Sequence, residues 1–232
     1  MLEVRDILKD YGGRVVLDKI SFEFYLGKSY GLVGKNGAGK TTFLKILMRL
    51  IRDHQGDIFL HNKSLTPLDY LKIPMAFISD TPSLYSDLTV KEHLLLICRS
   101  QKIAKIEALQ RIDEIFEALK LEQYRNYFPD ALSKGTLQRL NIAMGMVRDT
   151  SIFIMDEPFA ALDPVQVLAV ENLINLKKQN GNTFIISSHD LDSLVEVCDE
   201  CLVLRDGKTL HYQISELTKE KITTIIGDSY GD

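Results

Sequence analysis

The stretch Gly34-Lys35-Asn36-Gly37-Ala38-Gly39-Lys40-Thr41 constrains this chain more than any other. It fits the pattern G-x-x-x-x-G-K-[ST], in which glycines let the backbone curl so that successive N–H groups point inward at phosphate oxygens. Such a loop needs a strand before it and a helix after it. The apolar run Ser29–Val33 and the amphipathic Thr41–Leu50 supply both. The unpaired N–H groups at the start of that helix favour anions. On this reading the backbone from Gly34 through Asn36, Gly37, Ala38 and Gly39 cradles the phosphates. Lys40 reaches the terminal phosphates, the Thr41 hydroxyl ligates Mg²⁺, and Thr42 continues the helix.

The rest of the chain reads as an α/β protein. Leu2–Leu8 and Val15–Tyr25 alternate apolar and polar residues as strands do. Asp57–Leu60 reads as a strand after a Gln55-Gly56 turn, and Met75–Ser79 as another. Helical patterning runs from about residue 89 to 147. Thr89 and Glu92 are spaced for a capping box. Ile106, Leu109, Ile112, Ile115, Phe116 and Leu119 fall at helical spacing, as one apolar face. Ser133 is placed to cap a helix over Gly135–Val147. Strands and helices then alternate: Ser151–Met155, Pro164–Lys178 with Asp163 as its cap, Thr183–Ser187, Asp190–Cys198 and Cys201–Leu204. Asp206-Gly207 turns the chain into Lys208–Tyr212. Alternation of this kind implies a parallel sheet flanked by helices. The opening strands imply a small antiparallel sheet beside it, and the middle an inserted helical subdomain. The expected division is one domain over 1–212, with the helical subdomain at about 89–147. A short C-terminal extension over 213–232 ends in a disordered tail at Gly227–Asp232.

Two carboxylates follow the apolar strand Ser151–Met155. A carboxylate at the C-terminal edge of a buried strand can hold Mg²⁺, directly or through water, and Asp156 suits that role. Glu157, beside it, is placed to orient or deprotonate a water attacking the terminal phosphate. His189 follows the strand Thr183–Ser188, at the edge where parallel sheets bind ligands. It is a candidate to touch that phosphate and position Glu157.

With these residues in place, the sequence resembles the nucleotide-binding domain of an ABC transporter over about residues 2–212. Leu132-Ser133-Lys134-Gly135-Thr136 stands where that family has its L-S-G-G-Q signature. Asp156 and Glu157 stand at the Walker B pair, Ala161-Leu162-Asp163 at the D-loop, and His189 at the switch histidine. Tyr11 stands where the family stacks an aromatic ring on adenine. The resemblance implies a P-loop NTPase fold, ATP and Mg²⁺ as cofactors, and catalytic roles for Lys40, Glu157 and His189. It further implies a head-to-tail pair of ATP-binding subunits, expected as a homodimer, and a transmembrane permease subunit. Each ATP would lie between the phosphate loop of one subunit and the signature residues Ser133 and Gly135 of the other, and Asp163 is implied as a further nucleotide-binding residue. Segment Pro82–Val90 would lie near the groove that receives a cytoplasmic helix of the membrane partner. Two departures stand out. Asp80 occupies the place of the Q-loop glutamine, where it would bind Mg²⁺ through water. Lys134 and Thr136 replace the first Gly and the Gln of the signature, and the L-S-K-G form resembles exporters of drugs, antibiotics or antimicrobial peptides. A soluble ATPase of the same family, as in iron–sulfur assembly, and a non-catalytic regulatory subunit remain open alternatives.

Composition narrows the field further. The 28 Lys and Arg against 32 Asp and Glu give a net charge of −4, without the basic excess of a dedicated nucleic-acid binder. No run approaches the ~20 apolar residues of a membrane span, and Met1–Asp6 lacks a signal-peptide pattern. The expected location is cytoplasmic, at the inner face of the membrane through the partner. Three cysteines suit a reducing compartment. Cys198 and Cys201 are expected as buried thiols, and His54, His61, His93 and His211 on surfaces or helix faces.

Overall fold

The structure is a computed structural model that describes residues 1–66 and 74–217. The expected tail at Gly227–Asp232 lies outside the described residues. The first three strands are β1 (Leu2–Tyr11), β2 (Arg14–Phe24) and β3 (Ser29–Val33), followed by helix α1 (Lys40–Leu47). Then come β4 (Gln55–Leu60), β5 (Lys63–Ser64) and β6 (Met75–Ile78). Helices α2 (Val90–Ser100), α3 (Lys105–Ala118) and α4 (Lys134–Met146) form the middle of the chain. The last third alternates β7 (Ile152–Asp156), α5 (Pro164–Gln179), β8 (Thr183–Ser187), α6 (Leu191–Val197), β9 (Glu200–Arg205) and β10 (Lys208–Gln213).

These strands form two sheets. One is antiparallel, in the order β2-β1-β4-β5. The other runs β10-β9-β3-β8-β7-β6; the pairs from β9 to β6 are parallel, and β10 closes the edge antiparallel. Parallel pairing sets the C-terminal ends of β3, β8, β7 and β6 side by side along one rim. That rim is where open α/β sheets take ligands. The strand interiors are wholly buried apolar runs, as a sheet covered on both faces requires. Along β7 the side chains alternate between two cores. Ile152 and Ile154 face the antiparallel sheet and α1, while Phe153 and Met155 face the helices. The ring of Phe153 stacks on Phe184 of β8 at 5.0 Å.

Several helix starts follow the sequence. Thr89 and Glu92 make the reciprocal capping box of α2. Ser133 caps α4 by accepting from Thr136 N–H, and Asp163 caps α5 by accepting from Gln166 N–H with Pro164 in the first turn. Two expectations need correction. Gln55-Gly56 is no turn before a strand: both residues already belong to β4, at a register shift against β1 between Arg5 and Leu8. Ile106 is 76% exposed. It precedes Ile115 by about two and a half helical turns and so faces away from the core. His93 is buried on α2. The Tyr85 N–H donates to its Nε2 at 3.0 Å, so Nδ1 carries the proton and donates to the Thr89 carbonyl at 2.8 Å. All three cysteines are free and buried. No helix of the described residues is long and apolar enough to cross a membrane.

Candidate functional site

The phosphate loop leaves the end of β3 at the centre of the rim. Gly39 adopts φ +104°, and a Cβ there would stand 2.7 Å from Val16 Cγ1, so conformation and space both require glycine. Lys40 opens α1 and is buried. Its ammonium donates to the Gly34 carbonyl at 2.8 Å and lies 3.4 Å from the Lys35 carbonyl. Burial pushes this lysine below its ordinary range, against the pull of Glu157 and Asp156, which favours the charged form.

A cleft of about 470 Å³ lies over this loop. Asn36, Gly37, Gly39, Lys40, Thr41 and Thr42 form its floor. Three residues from other strand ends meet them: His189 after β8, Glu157 after β7 and Asp80 after β6. The strand order β3-β8-β7-β6 explains this convergence, because each strand delivers one side chain to the same rim. Tyr11 closes the far wall. The hairpin β1–β2 carries it there, where Tyr11 pairs with Arg14 across the two-residue turn Gly12-Gly13.

Asp156 lies beneath the cleft, 1% exposed. Its Oδ1 accepts from the Ser187 hydroxyl at 2.5 Å, while its Oδ2 is buried with no hydrogen-bond partner. A bare buried carboxylate oxygen is costly, and a cation relieves that cost. Thr41 supplies a hydroxyl on the cleft floor. Among the described residues no three His, Cys, Asp or Glu side chains gather to hold a metal unaided. This donor set suits Mg²⁺, which binds through one or two protein oxygens together with substrate phosphates.

Glu157 turns out of the strand with φ +49°. A non-glycine residue held there stores about 1–3 kcal/mol of backbone strain, a feature that clusters at functional sites. Its amide donates to the Ser187 carbonyl at 3.0 Å, which fixes the turn.

Not every candidate reaches the cleft. Ser133, Gly135 and Asp163 gather elsewhere, where the N-termini of α4 and α5 meet. A Cβ on Gly135 would stand 2.6 Å from Gln166 Oε1 and 3.0 Å from the Ala161 carbonyl, so glycine lets the two helix starts approach. Ala38 lines an adjoining hollow with Leu204–Gly207. Thr136 turns inward: its hydroxyl lies 3.0 Å from Ser133 Oγ and accepts from Arg139 Nη2 at 3.2 Å. Lys134 is exposed at the first position of α4.

The sequence reading missed four residues. Arg14 and Val16 also line the cleft; the Gly12-Gly13 pair between two alternating segments was their signal. Gln138 and Asn141, on α4, tie that helix to the rim. Gln138 Nε2 donates to the Pro158 carbonyl at 3.1 Å, and Asn141 Nδ2 donates to the Ser79 carbonyl at 2.7 Å. Thus one helix touches the segments next to both Glu157 and Asp80.

Known proteins share this architecture. A protein-family model described as "ABC transporter" matches residues 17–160. An uncharacterized ABC transporter ATP-binding protein of Methanocaldococcus jannaschii is 34% identical over 211 residues, covering 91% of this chain and 76% of the relative. The lipopolysaccharide export system ATP-binding protein LptB of Acidithiobacillus ferridurans is 28% identical, covering 90% of this chain and 88% of that one. A solved structure described as the ATP-binding subunit of an ABC transporter superposes with a TM-score of 0.88 at 28% identity. That match covers 98% of this chain and 99% of the other.

Proposed function

Because the chain belongs to the ABC transporter family, as an ATP-binding and ATP-hydrolysing subunit, we propose that it works at the cytoplasmic face of a membrane as the motor of an exporter. Two copies associate head-to-tail, and each ATP lies between the cleft of one copy and Ser133 and Gly135 of the other. A separate membrane-embedded permease carries the cargo. The observation that carries this reading is the meeting of Lys40, Glu157 and His189, from three distant stretches of chain, in one cleft.

The residues divide the work as follows. Backbone N–H groups of the phosphate loop and the start of α1 hold the phosphates. Lys40 exchanges its hold on the Gly34 carbonyl for the terminal phosphate oxygens, adding a buried positive charge where negative charge builds up. Glu157 orients a water and takes its proton as the oxygen attacks phosphorus, and ADP departs with the bridging oxygen. His189 steadies the Glu157 carboxylate and faces the same phosphate. Thr41, Asp156 and, through water, Asp80 would hold Mg²⁺, which neutralises phosphate charge when bound. Tyr11 stacks on the base. Asp163 places the chain between the two copies.

The separation of Ser133, Gly135 and Asp163 from the chain's own cleft supports action in trans. A helix start with free N–H groups that serves no phosphate in its own subunit can serve one in the partner's. Export is supported by the Lys134 form of the signature and by the export function in the name of the relative LptB. Phosphate release from ATP by the purified chain, compared with its Lys40→Ala variant, tests the enzyme reading. Loss of at least about a hundredfold is expected, and equal rates would overturn it. Co-purification from detergent-solubilised membranes with a multispanning protein tests the transport reading.

A further inference from the structure

Tyr11 presents two ring faces, and base stacking uses one of them. The other face is already occupied. Lys9 stands two residues earlier on β1 and therefore on the same side of the strand. Its Nζ lies 4.5 Å from the centroid of the Tyr11 ring. Lys9 is 4% exposed while Tyr11 is 49% exposed, so the lysine lies beneath the ring and the ring faces solvent. The ammonium is anchored by Asp53 Oδ2 at 2.9 Å. Asp53 belongs to the segment that follows α1, the helix that Lys40 begins. Lysine is among the residues least often fully buried, and here its charged end meets one ring and one surface carboxylate.

We propose that Lys9 is a positioning residue for the nucleobase. It acts through the Tyr11 ring, and the inference rests on the stacking role proposed for that residue. Two effects follow from its placement. The ammonium is attracted to the ring face it covers and holds the ring flat over it, so only the outward face is open to a base. The cation also draws π-density toward itself. The outward face becomes less negative, which reduces the face-to-face repulsion that a purine would otherwise meet. Asp53 fixes the ammonium from the segment that follows α1 and so sets the height of the ring relative to the phosphate loop.

The chain contains no tryptophan, so Tyr11→Trp introduces a single fluorescent reporter at the stacking position. Its emission is titrated with MgATP in three backgrounds: Lys9 intact, Lys9→Met and Lys9→Arg. The proposal expects quenching by ATP, a dissociation constant raised about two- to fivefold by Lys9→Met, and substantial recovery with Lys9→Arg. Asp53→Asn, a change at a wholly exposed side chain, loosens the anchor without touching the core and weakens binding in the same direction. In steady-state ATPase assays with Tyr11 intact, Lys9→Met raises KM more than it lowers kcat. In a Tyr11→Leu background the same change leaves KM where it was. An unchanged dissociation constant in Lys9→Met, or an equal KM penalty with and without the ring, overturns the role of Lys9 and leaves stacking untouched. Absence of any ATP response from the introduced indole, in a chain that hydrolyses ATP, overturns stacking itself and this inference with it.

Discussion

The carboxylate of Glu157 faces His189 through both of its oxygens: Oε1 stands 2.9 Å from Nε2, and Oε2 accepts the His189 backbone N–H at 3.1 Å. The two residues follow neighbouring parallel strands, β7 and β8, so the contact is built into the sheet. It holds the proposed base beside the phosphate loop, on a backbone already strained at Glu157.

His189→Ala removes the ring contact and keeps the backbone one. We expect kcat to fall by roughly a hundredfold or more, the scale of a lost general-base or charge-stabilising partner. The dissociation constant for ATP should change far less. Weakened binding with unimpaired turnover would contradict the assignment.

Gly135→Ala places a methyl against Gln166 Oε1 and the Ala161 carbonyl. The glutamine side chain can move, but the backbone carbonyl has less freedom. A loss of about 1–3 kcal/mol in urea denaturation is expected. ATP-dependent dimerisation should fall by more than stability alone explains, because the two helix starts at the proposed trans surface are pushed apart. A variant that dimerises normally would contradict that placement.

Asp80 is exposed and lines the cleft opposite Tyr11 and its strand pair. If it holds Mg²⁺ through water, Asp80→Ala shifts the Mg²⁺ titration of ATPase activity to several-fold higher concentration, while Asp80→Gln shifts it less. An identical titration for all three proteins removes Asp80 from the cation site.

Glu171 on α5 gives a pH signature. Burial lifts its carboxyl above the ordinary 4.5, against the opposing hydrogen bond with Ser193. The native state therefore holds this proton at pH values where the unfolded chain has released it. Stability from this group is complete below pH 4.5 and is lost as pH rises through the raised value. Glu171→Gln should melt higher than the parent near neutral pH, and the gap should close in acid. A gap that stays constant with pH would contradict this.

The phosphate loop, the carboxylate pair and His189 were legible in the sequence because each is a short string whose function depends on local backbone geometry. Helix caps at Thr89, Ser133 and Asp163 were legible for the same reason. Arg14 and Lys9 were not, because strand register and the contact of β1 with the segment that follows α1 create their roles. Gln138 and Asn141 were hidden too. Their partners are backbone carbonyls brought near by packing of α4 on the rim, and carbonyls leave no trace in residue identity. Ile106 shows the converse error: spacing to its near neighbours suggests the stripe, but its angle about two and a half turns before Ile115 puts it on the opposite face. His93 reads as an ordinary helix residue until the loop carrying Tyr85 folds back onto it.

Glu157→Gln tests the central claim most directly, in a purified sample with MgATP followed by size-exclusion chromatography and phosphate release. The substitution keeps the shape and removes the base. Turnover should fall by at least about a hundredfold, and the chain should elute as a dimer with ATP retained. A variant that releases phosphate at the parent rate would contradict the account, as would one that stays monomeric with ATP.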